Sequence, residues 1–296
     1  TPVTNGTYKS TTLVLDTTSP EITVTYVEDK TTEKEVMPVE QRGERIYFAK
    51  PVNMRITVED VNPRDHELKK YLSENFKVTD IEGNSISNSA AEKEINTPKY
   101  LIIGEDGTAI TWDIPLSTDA NYEFPISYED LAGNTATYDT QKVTKDQSAP
   151  EFELEYSVAN SGFWDAVNYK DLGFLFADHK LTIHATASDK ITGVHIIKFT
   201  IIDEDGEKTE KVSTIEEPMY TSSLEVVIPW ETNDFNGVVK VEVSDLLANT
   251  SEESHGYIVE SAEKHSTTGS AKIMTKTAPS RIVEGVKYYN TSVDLN

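Results

Sequence analysis

The chain contains no cysteine among its 296 residues, which excludes a thiol nucleophile and a thiolate metal site. It also lacks an HExxH zinc motif, a G-x-S-x-G nucleophile motif and a glycine-rich phosphate loop. No stretch approaches the roughly 20 apolar residues of a membrane helix, so membrane insertion is not expected. No signal peptide begins the chain, and its first residues have the character of an internal stretch. We therefore expect a fragment of a longer protein.

Basic residues are scarce as well. The chain has 27 lysines and arginines against 51 aspartates and glutamates, a formal net charge of −24. Such a charge repels nucleic acid and anionic membranes, so neither is an expected partner. It favours cations such as calcium only where oxygen ligands converge. The hydrophobic share of 37% still predicts folded cores, and the length suits two domains at roughly 100–200 residues each.

Three prolines mark an internal repeat. Pro20, Pro150 and Pro279 each precede an alternating apolar run and lie 130 and 129 residues apart. Segments between them match in the same order and at nearly constant offset. The paired segments are residues 45–60 with 173–189, 76–87 with 199–210, and 112–135 with 226–250. Matches in this order indicate a duplicated module.

The repeat predicts four segments along the chain. They are the last strand of a preceding module (1–17), module one (18–146), module two (147–276) and the start of a further module (277–296). Neighbouring modules of the same chain are therefore expected partners.

Strict alternation of apolar and polar residues dominates both copies, as in Ile22, Val24 and Tyr26. Short alternating strands separated by glycine-containing turns predict an all-β fold of β-sandwich modules. One short helix is predicted within residues 62–76, with Asn62 as N-cap and Pro63 as the first helical residue. Module two has the sequence DKITGVH at this point and is expected to turn directly.

The sequence DLAGNT at residues 130–135 returns as DLLANT at residues 245–250. Asp130 and Asn134 have the residue types of a ligand or catalytic pair, but catalysis would require an acid or base partner that the sequence does not mark. Aspartate at the first position and Gly133 at the fourth favour a type I turn, so we interpret the motif as the last hairpin turn of each module. Ala248 replaces the glycine in the second copy, which predicts a distorted or longer hairpin.

The sequence predicts no cofactor, with bound calcium as the alternative. The stretch from Asp203 to Glu207 resembles the start of a calcium loop, but Thr214 occupies the twelfth position, so we interpret it as an acidic hairpin tip. Module junctions are better candidates. The residues expected there are Asp16, Asp60, Asp130 and Asp146 at one junction, and Asp189 and Asp245 at the next.

Three aromatic residues of module two have no clear counterpart in module one. Phe163, Trp164 and Tyr169 are candidates for binding a sugar or protein ligand, because exposed aromatic groups in a loop otherwise need a packing partner. Packing over the module core is the alternative interpretation for the same residues.

The pattern D-x-x-x-P-x-I-x-V-x-Y, followed by Y-F, I-x-V-x-D and D-L-A-G-N-T, resembles bacterial immunoglobulin-like repeats of large cell-surface proteins. The residues that carry it are Asp16, Pro20, Ile22, Val24, Tyr26, Tyr47, Phe48, Ile56, Val58, Asp60 and 130–135. The resemblance covers most of the chain and implies elongated tandem Ig-like β-sandwich modules. It implies no catalytic residues.

The resemblance implies an extracellular, non-catalytic role on a bacterial surface or in a secreted protein. The expected function is that of a stalk, a spacer or an adhesive unit whose ligand would be a host glycan or protein. The alternative is a carbohydrate-binding accessory module of an extracellular carbohydrate-active enzyme.

Overall fold

The computed structural model describes most of the chain. The described residues are 13–29, 31, 34–64, 67–97, 101–105, 107–158, 174–176, 181–227, 235–260, 281–283 and 286–288. The chain divides into two compact units. The first comprises Thr1–Val78 and Ser85–Lys145, and the second comprises Thr79–Asn84 and Asp146–Asn296.

The first unit is built from two sheets. Its elements are β1 (Glu21–Val27), β2 (Glu40–Arg42), β3 (Arg45–Phe48), β4 (Val52–Glu59), α1 (Glu67–Asn75), β5 (Lys77–Thr79), α2 (Ala90–Asn96), β6 (Ile102–Ile103), β7 (Ala109–Leu116), β8 (Ala120–Glu129) and β9 (Thr135–Lys145). The strand orders are β1-β4-β7-β6 and β2-β3-β9-β8-β5. The pairs β1–β4, β4–β7, β6–β7, β2–β3 and β8–β9 are antiparallel, whereas β3 and β9 run parallel.

The second unit repeats this plan. Its strands are β10 (Glu151–Val158), β11 (Phe174–Phe176), β12 (Leu181–Ser188), β13 (Val194–Ile202), β14 (Lys208–Met219), β15 (Thr221–Val227), β16 (Phe235–Asp245) and β17 (Thr250–Glu260). They form sheets in the orders β10-β12-β15 and β11-β17-β16-β13-β14, with β11 parallel to β17. A further pair, β18 (Arg281–Val283) with β19 (Val286–Tyr288), lies near the C-terminus.

Alternation along the strands places one face of each sheet in a shared core. In the first unit Ile56 and Ile114 from one sheet join Tyr122 and Phe124 from the other in a single buried cluster. In the second unit the core combines β12 and β15 with β13 and β16 in the same way. The all-β sandwich class predicted from the sequence is therefore confirmed.

The helical content differs from the prediction. The helix predicted within residues 62–76 is present as α1, but it begins at Glu67, so neither Asn62 nor Pro63 has the predicted role. The described residues of the first unit form a second helix, α2, which was not predicted. Asn62 donates its side-chain amide to Asp16 and its backbone N–H to Asp60 instead. The direct turn predicted for module two is confirmed, because residues 189–193 join β12 to β13 without a helix.

Candidate metal centres

The Asp130 motif is a hairpin turn between β8 and β9, as the sequence predicted. Asp130 and Asn134 close it through the Asp130 N–H to the Asn134 carbonyl, at 3.0 Å. The Asp130 carboxylate accepts the Asn134 N–H and the Asn134 side-chain amide, both at 2.8 Å. Gly133 has a positive φ of 91°. The local sequence therefore fixes the carboxylate at the end of β8.

The second copy has the same geometry, so the predicted distortion is wrong. Asp245 donates its N–H to the Asn249 carbonyl at 3.1 Å and accepts the Asn249 N–H at 2.8 Å. Ala248 adopts the left-handed conformation with φ 64°, the role that Gly133 has in the first unit. The hairpin keeps its length because alanine accepts a strained φ rather than changing the turn.

The first turn brings Asp130 to two other carboxylates of the first unit. Asp60 directly follows β4, and Asp16 lies four residues before Pro20, where the chain enters β1. Carboxylate oxygens of Asp16, Asp60 and Asp130 all lie within 4.8 Å of one another. Asn134 donates its side-chain amide to the Asp16 carbonyl at 3.3 Å, which ties the entering segment to the turn.

A second cluster has the same construction in the second unit. Asp146 follows β9, Asp189 follows β12 and Asp245 ends β16, and all three are buried. Their carboxylate oxygens also lie within 4.8 Å of one another. The sequence predicted all six residues, but it grouped Asp146 with the first three. The structure places Asp146 with Asp189 and Asp245, because it is the repeat counterpart of Asp16 rather than a fourth member of the first set.

Thr192 was not predicted and lies within the second cluster. Its hydroxyl is 2.7 Å from Asp146 Oδ2 and 3.0 Å from Asp245 Oδ2. A hydroxyl has a single proton, so it cannot satisfy both carboxylates fully. The repeat gave no signal for Thr192, because Pro63 occupies the matching position of the first module and has no hydroxyl.

Burial and the charges of neighbouring carboxylates disfavour the charged forms of Asp146 and Asp245. Burial, followed by the charges of Asp189 and Asp245, raises the pKa of Asp146 to about 7 against the hydrogen bonds of Thr192 and Ser148. Burial also raises the pKa of Asp245. No salt bridge joins any member of the second cluster to a lysine or arginine in the described part of the chain.

The first cluster is less buried and better supplied with donors. Burial raises the pKa of Asp60, with smaller contributions from Asp130 and Asp16. Hydrogen bonds from Thr18 and Asn62 lower the pKa of Asp16. Burial opposes the ionisation of Asp130, but the hydrogen bonds from Asn134 outweigh it and lower the pKa of Asp130.

Both clusters fit a hard divalent cation in donor chemistry. Calcium is bound by six to eight oxygens at about 2.3–2.6 Å, so ligand atoms within 4.8 Å of one another can share one ion. Asp189 concentrates three backbone N–H donors on Oδ1, while its Oδ2 accepts no hydrogen bond from the described residues. Oxygens with spare acceptor capacity inside a buried acidic cluster are what a cation site requires.

The remaining candidates divide into two groups. The acidic loop that begins at Asp203 is a hairpin turn of the same type, with the Asp203 N–H 3.1 Å from the Glu207 carbonyl. Phe163, Trp164 and Tyr169 lie outside the described residues, so their ligand-binding role stays a prediction.

None of the described helices is long and apolar enough to cross a membrane.

Comparison with known proteins supports the family resemblance. The bacterial Ig-like domain family matches residues 73–147, so the resemblance predicted from the sequence is confirmed for that part of the chain. No curated protein matches the chain.

Two solved structures are similar to this chain at low identity. The fibronectin(III)-like modules of Clostridium thermocellum CbhA are 14% identical, with a TM-score of 0.26, and the match covers 85% of this chain and 100% of that one. A tetra-tandem repeat in the extending region of a large adhesion protein is 19% identical, with a TM-score of 0.39. This match covers 83% of this chain and 50% of the adhesion-protein chain.

Proposed function

We propose that the chain is a non-catalytic segment of tandem Ig-like modules from a bacterial cell-surface or secreted protein, where it acts as a stalk or spacer. We also propose that each acidic cluster binds one calcium ion. The observation that carries the proposal is the recurrence of three converging aspartates, at equivalent positions of both units and without a basic partner among the described residues.

Calcium would give these clusters a mechanical role. Asp146 belongs to the segment that enters β10, whereas Asp189 and Asp245 end strands of the two opposing sheets. An ion bound by all three would link the entering segment to both sheets of the second unit. This link would help a spacer resist unfolding, because a pulling force is transmitted to each module through its entering segment.

The alternative, a catalytic use of the same carboxylates, has less support. Asp130 and Asp245 are engaged by their own turn residues, and a general acid or base must be free to reach a substrate proton. The Ig-like family matched by residues 73–147 is generally non-catalytic. The same proposal places the chain outside the bacterial cell.

Thermal unfolding with calcium and with a chelator tests the calcium site. A ligand that binds only the folded state stabilises it by about 2.7 kcal/mol at 100 times its dissociation constant. We expect calcium to raise the melting temperature and Asp130→Asn to remove the part due to the first unit. Asp80→Asn is the matched control, because Asp80 forms the same turn with Asn84 but lies outside both clusters. An unchanged melting temperature with chelator would refute the calcium site.

A glycan array with the full chain tests the spacer role separately. A spacer is expected to bind no glycan. Binding that disappears in Trp164→Ala would instead support the carbohydrate-binding alternative predicted from the sequence, whatever the outcome with calcium.

A further inference from the structure

Three consecutive apolar residues before the first cluster are exposed. Leu13 is 90% exposed, Val14 64% and Leu15 87%. They pair with no strand in the described part of the chain. An exposed run of this kind is unusual on a folded protein and indicates an interaction surface.

The repeat identifies what these residues correspond to. Asp16 accepts the N–H of Thr18 at 3.0 Å, as Asp146 accepts that of Ser148 at 3.0 Å. The side-chain amide of the hairpin asparagine reaches the Asp16 carbonyl at 3.3 Å in the first unit and the Asp146 carbonyl at 3.4 Å in the second. The two aspartates are therefore structural equivalents, and residues 13–15 correspond to residues 143–145.

Residues 143–145 have the opposite environment. They are the last residues of β9, which pairs antiparallel with β8 and parallel with β3. Val143 and Thr144 are fully buried, and Lys145 is 3% exposed. Residues at the same position of the repeat thus belong to an interior strand of a sheet in one case and are exposed in the other.

A second exposed patch lies beside the first cluster. Val61 and Leu131 are 67% and 66% exposed, and they follow Asp60 and Asp130 directly. The counterpart of Val61 in the second unit is Lys190, whose carbonyl accepts the Ile81 N–H at 2.8 Å. Ile81 also packs closely there, since a Cβ on Gly193 would come within 2.8 Å of its Cδ1. The hairpin Thr79–Asn84 therefore covers this position in the second unit.

We propose that residues 13–15 complete the sheet of another Ig-like module, and that a hairpin of that module covers Val61 and Leu131. The partner module must contain strands equivalent to β3 and β8, and the position of β9 between them must be unoccupied. It must also present an Asp-x-x-Gly-Asn hairpin with an apolar second residue, as residues 80–84 do. The contacts involve backbone and apolar groups, so the proposal does not depend on calcium.

An extended chain tests this docking. In this chain a copy of residues 18–134 is joined directly to residue 5 of the present sequence. Residues 5–15 then follow residue 134 of the copy and take the place of residues 135–145, the strand β9, in the copied module. Amide hydrogen exchange at residues 13–15 is expected to slow by about 100-fold or more relative to the present chain. Leu15 takes the place of Lys145, which forms an ion pair with Asp119 in the first unit. A second extended chain therefore carries Leu15→Lys, which restores this ion pair with Asp119 of the copy.

Cysteine labelling gives an independent measurement, because the chain has no cysteine of its own. Leu131→Cys in the original module should react at least about 10-fold more slowly in the extended chain than in the present one. Val212→Cys, at a position 49% exposed in the second unit, is the control and should react equally in both. All measurements are made with chelator present, so a failed calcium proposal leaves them interpretable.

Two outcomes would overturn the proposal. One is unchanged exchange and labelling in both extended chains. The other is protection of residues 13–15 in the present chain together with a dimeric mass by light scattering, which would make a second copy the occupant.

Discussion

Ala248 occupies a position where the first unit has Gly133, and both have positive φ. The left-handed conformation costs a residue with a Cβ roughly 1–2 kcal/mol, whereas glycine loses more chain entropy on folding, by about 0.5–1 kcal/mol. We expect Ala248→Gly to stabilise the second unit by roughly 0.5–1 kcal/mol, measured by chemical denaturation. Gly133→Ala is the reciprocal variant and should destabilise the first unit by a similar amount. Two changes of the same sign would contradict this account.

Asp146 gives the second unit an unusual pH dependence when calcium is absent. Its pKa is raised from 3.8 to about 7, mainly by burial. The folded state therefore holds a proton that the unfolded state has lost between these pH values, so stability falls as the pH rises from 4 to 7. The loss should be on the order of 2–4 kcal/mol, at about 1.4 kcal/mol per pKa unit.

Denaturation of the second unit in chelator at several pH values measures this dependence. Asp146→Asn should flatten the profile, although the raised pKa of Asp245 leaves a residual slope of the same sign. Saturating calcium should reverse the trend, because the ion favours the ionised carboxylates. If Asp146→Asn left the calcium-free profile between pH 4 and 7 unchanged, the raised pKa of Asp146 would be refuted.

At the scale of elements, alternation predicted the strands well, and the helix predicted within residues 62–76 is present as α1, but its start was predicted wrongly. Asn62 and Pro63 have the residue types of a helix start. Asn62 instead donates its backbone N–H to Asp60 and its side-chain amide to Asp16, and α1 begins later, at Glu67. A tertiary contact here overrides a local preference. No local pattern could reveal that contact, because Asp16 is 46 residues away in sequence.

Helix α2 was missed for a different reason. It has seven residues and buries only Ala91 and Ile95, too few to show a helical period. Its signal was the cap: Ser89 accepts the Glu92 N–H at 3.1 Å, the serine and glutamate pair of a capping box. We expect Ser89→Ala to destabilise the first unit by about 1 kcal/mol. The exposed Ser87→Ala is the control, and equal stabilities of the two variants in urea would contradict a capping role.

The site could be predicted from the sequence to the extent that the repeat encodes it. All six aspartates stand at strand ends or module entries, which the alternation and the prolines locate. Their division into two sets was missed, although Asp16 lies four residues before Pro20 and Asp146 four residues before Pro150, so the repeat assigns Asp146 to the second set. Thr192, in contrast, could not be predicted, because its hydroxyl meets Asp146 and Asp245 only in the folded structure.

At the scale of the whole molecule, each cluster lies within one compact unit, so calcium should stabilise the units separately. Asp130→Asn is expected to reduce calcium stabilisation of the first unit alone, and Asp245→Asn that of the second alone. The double variant should show the sum, because sites without shared partners are additive within about 0.5 kcal/mol. Hydrogen exchange at β8 and at β16, read with calcium and with chelator, reports the two units independently. If either single variant weakened both units equally, the two clusters would have to act as one coupled site.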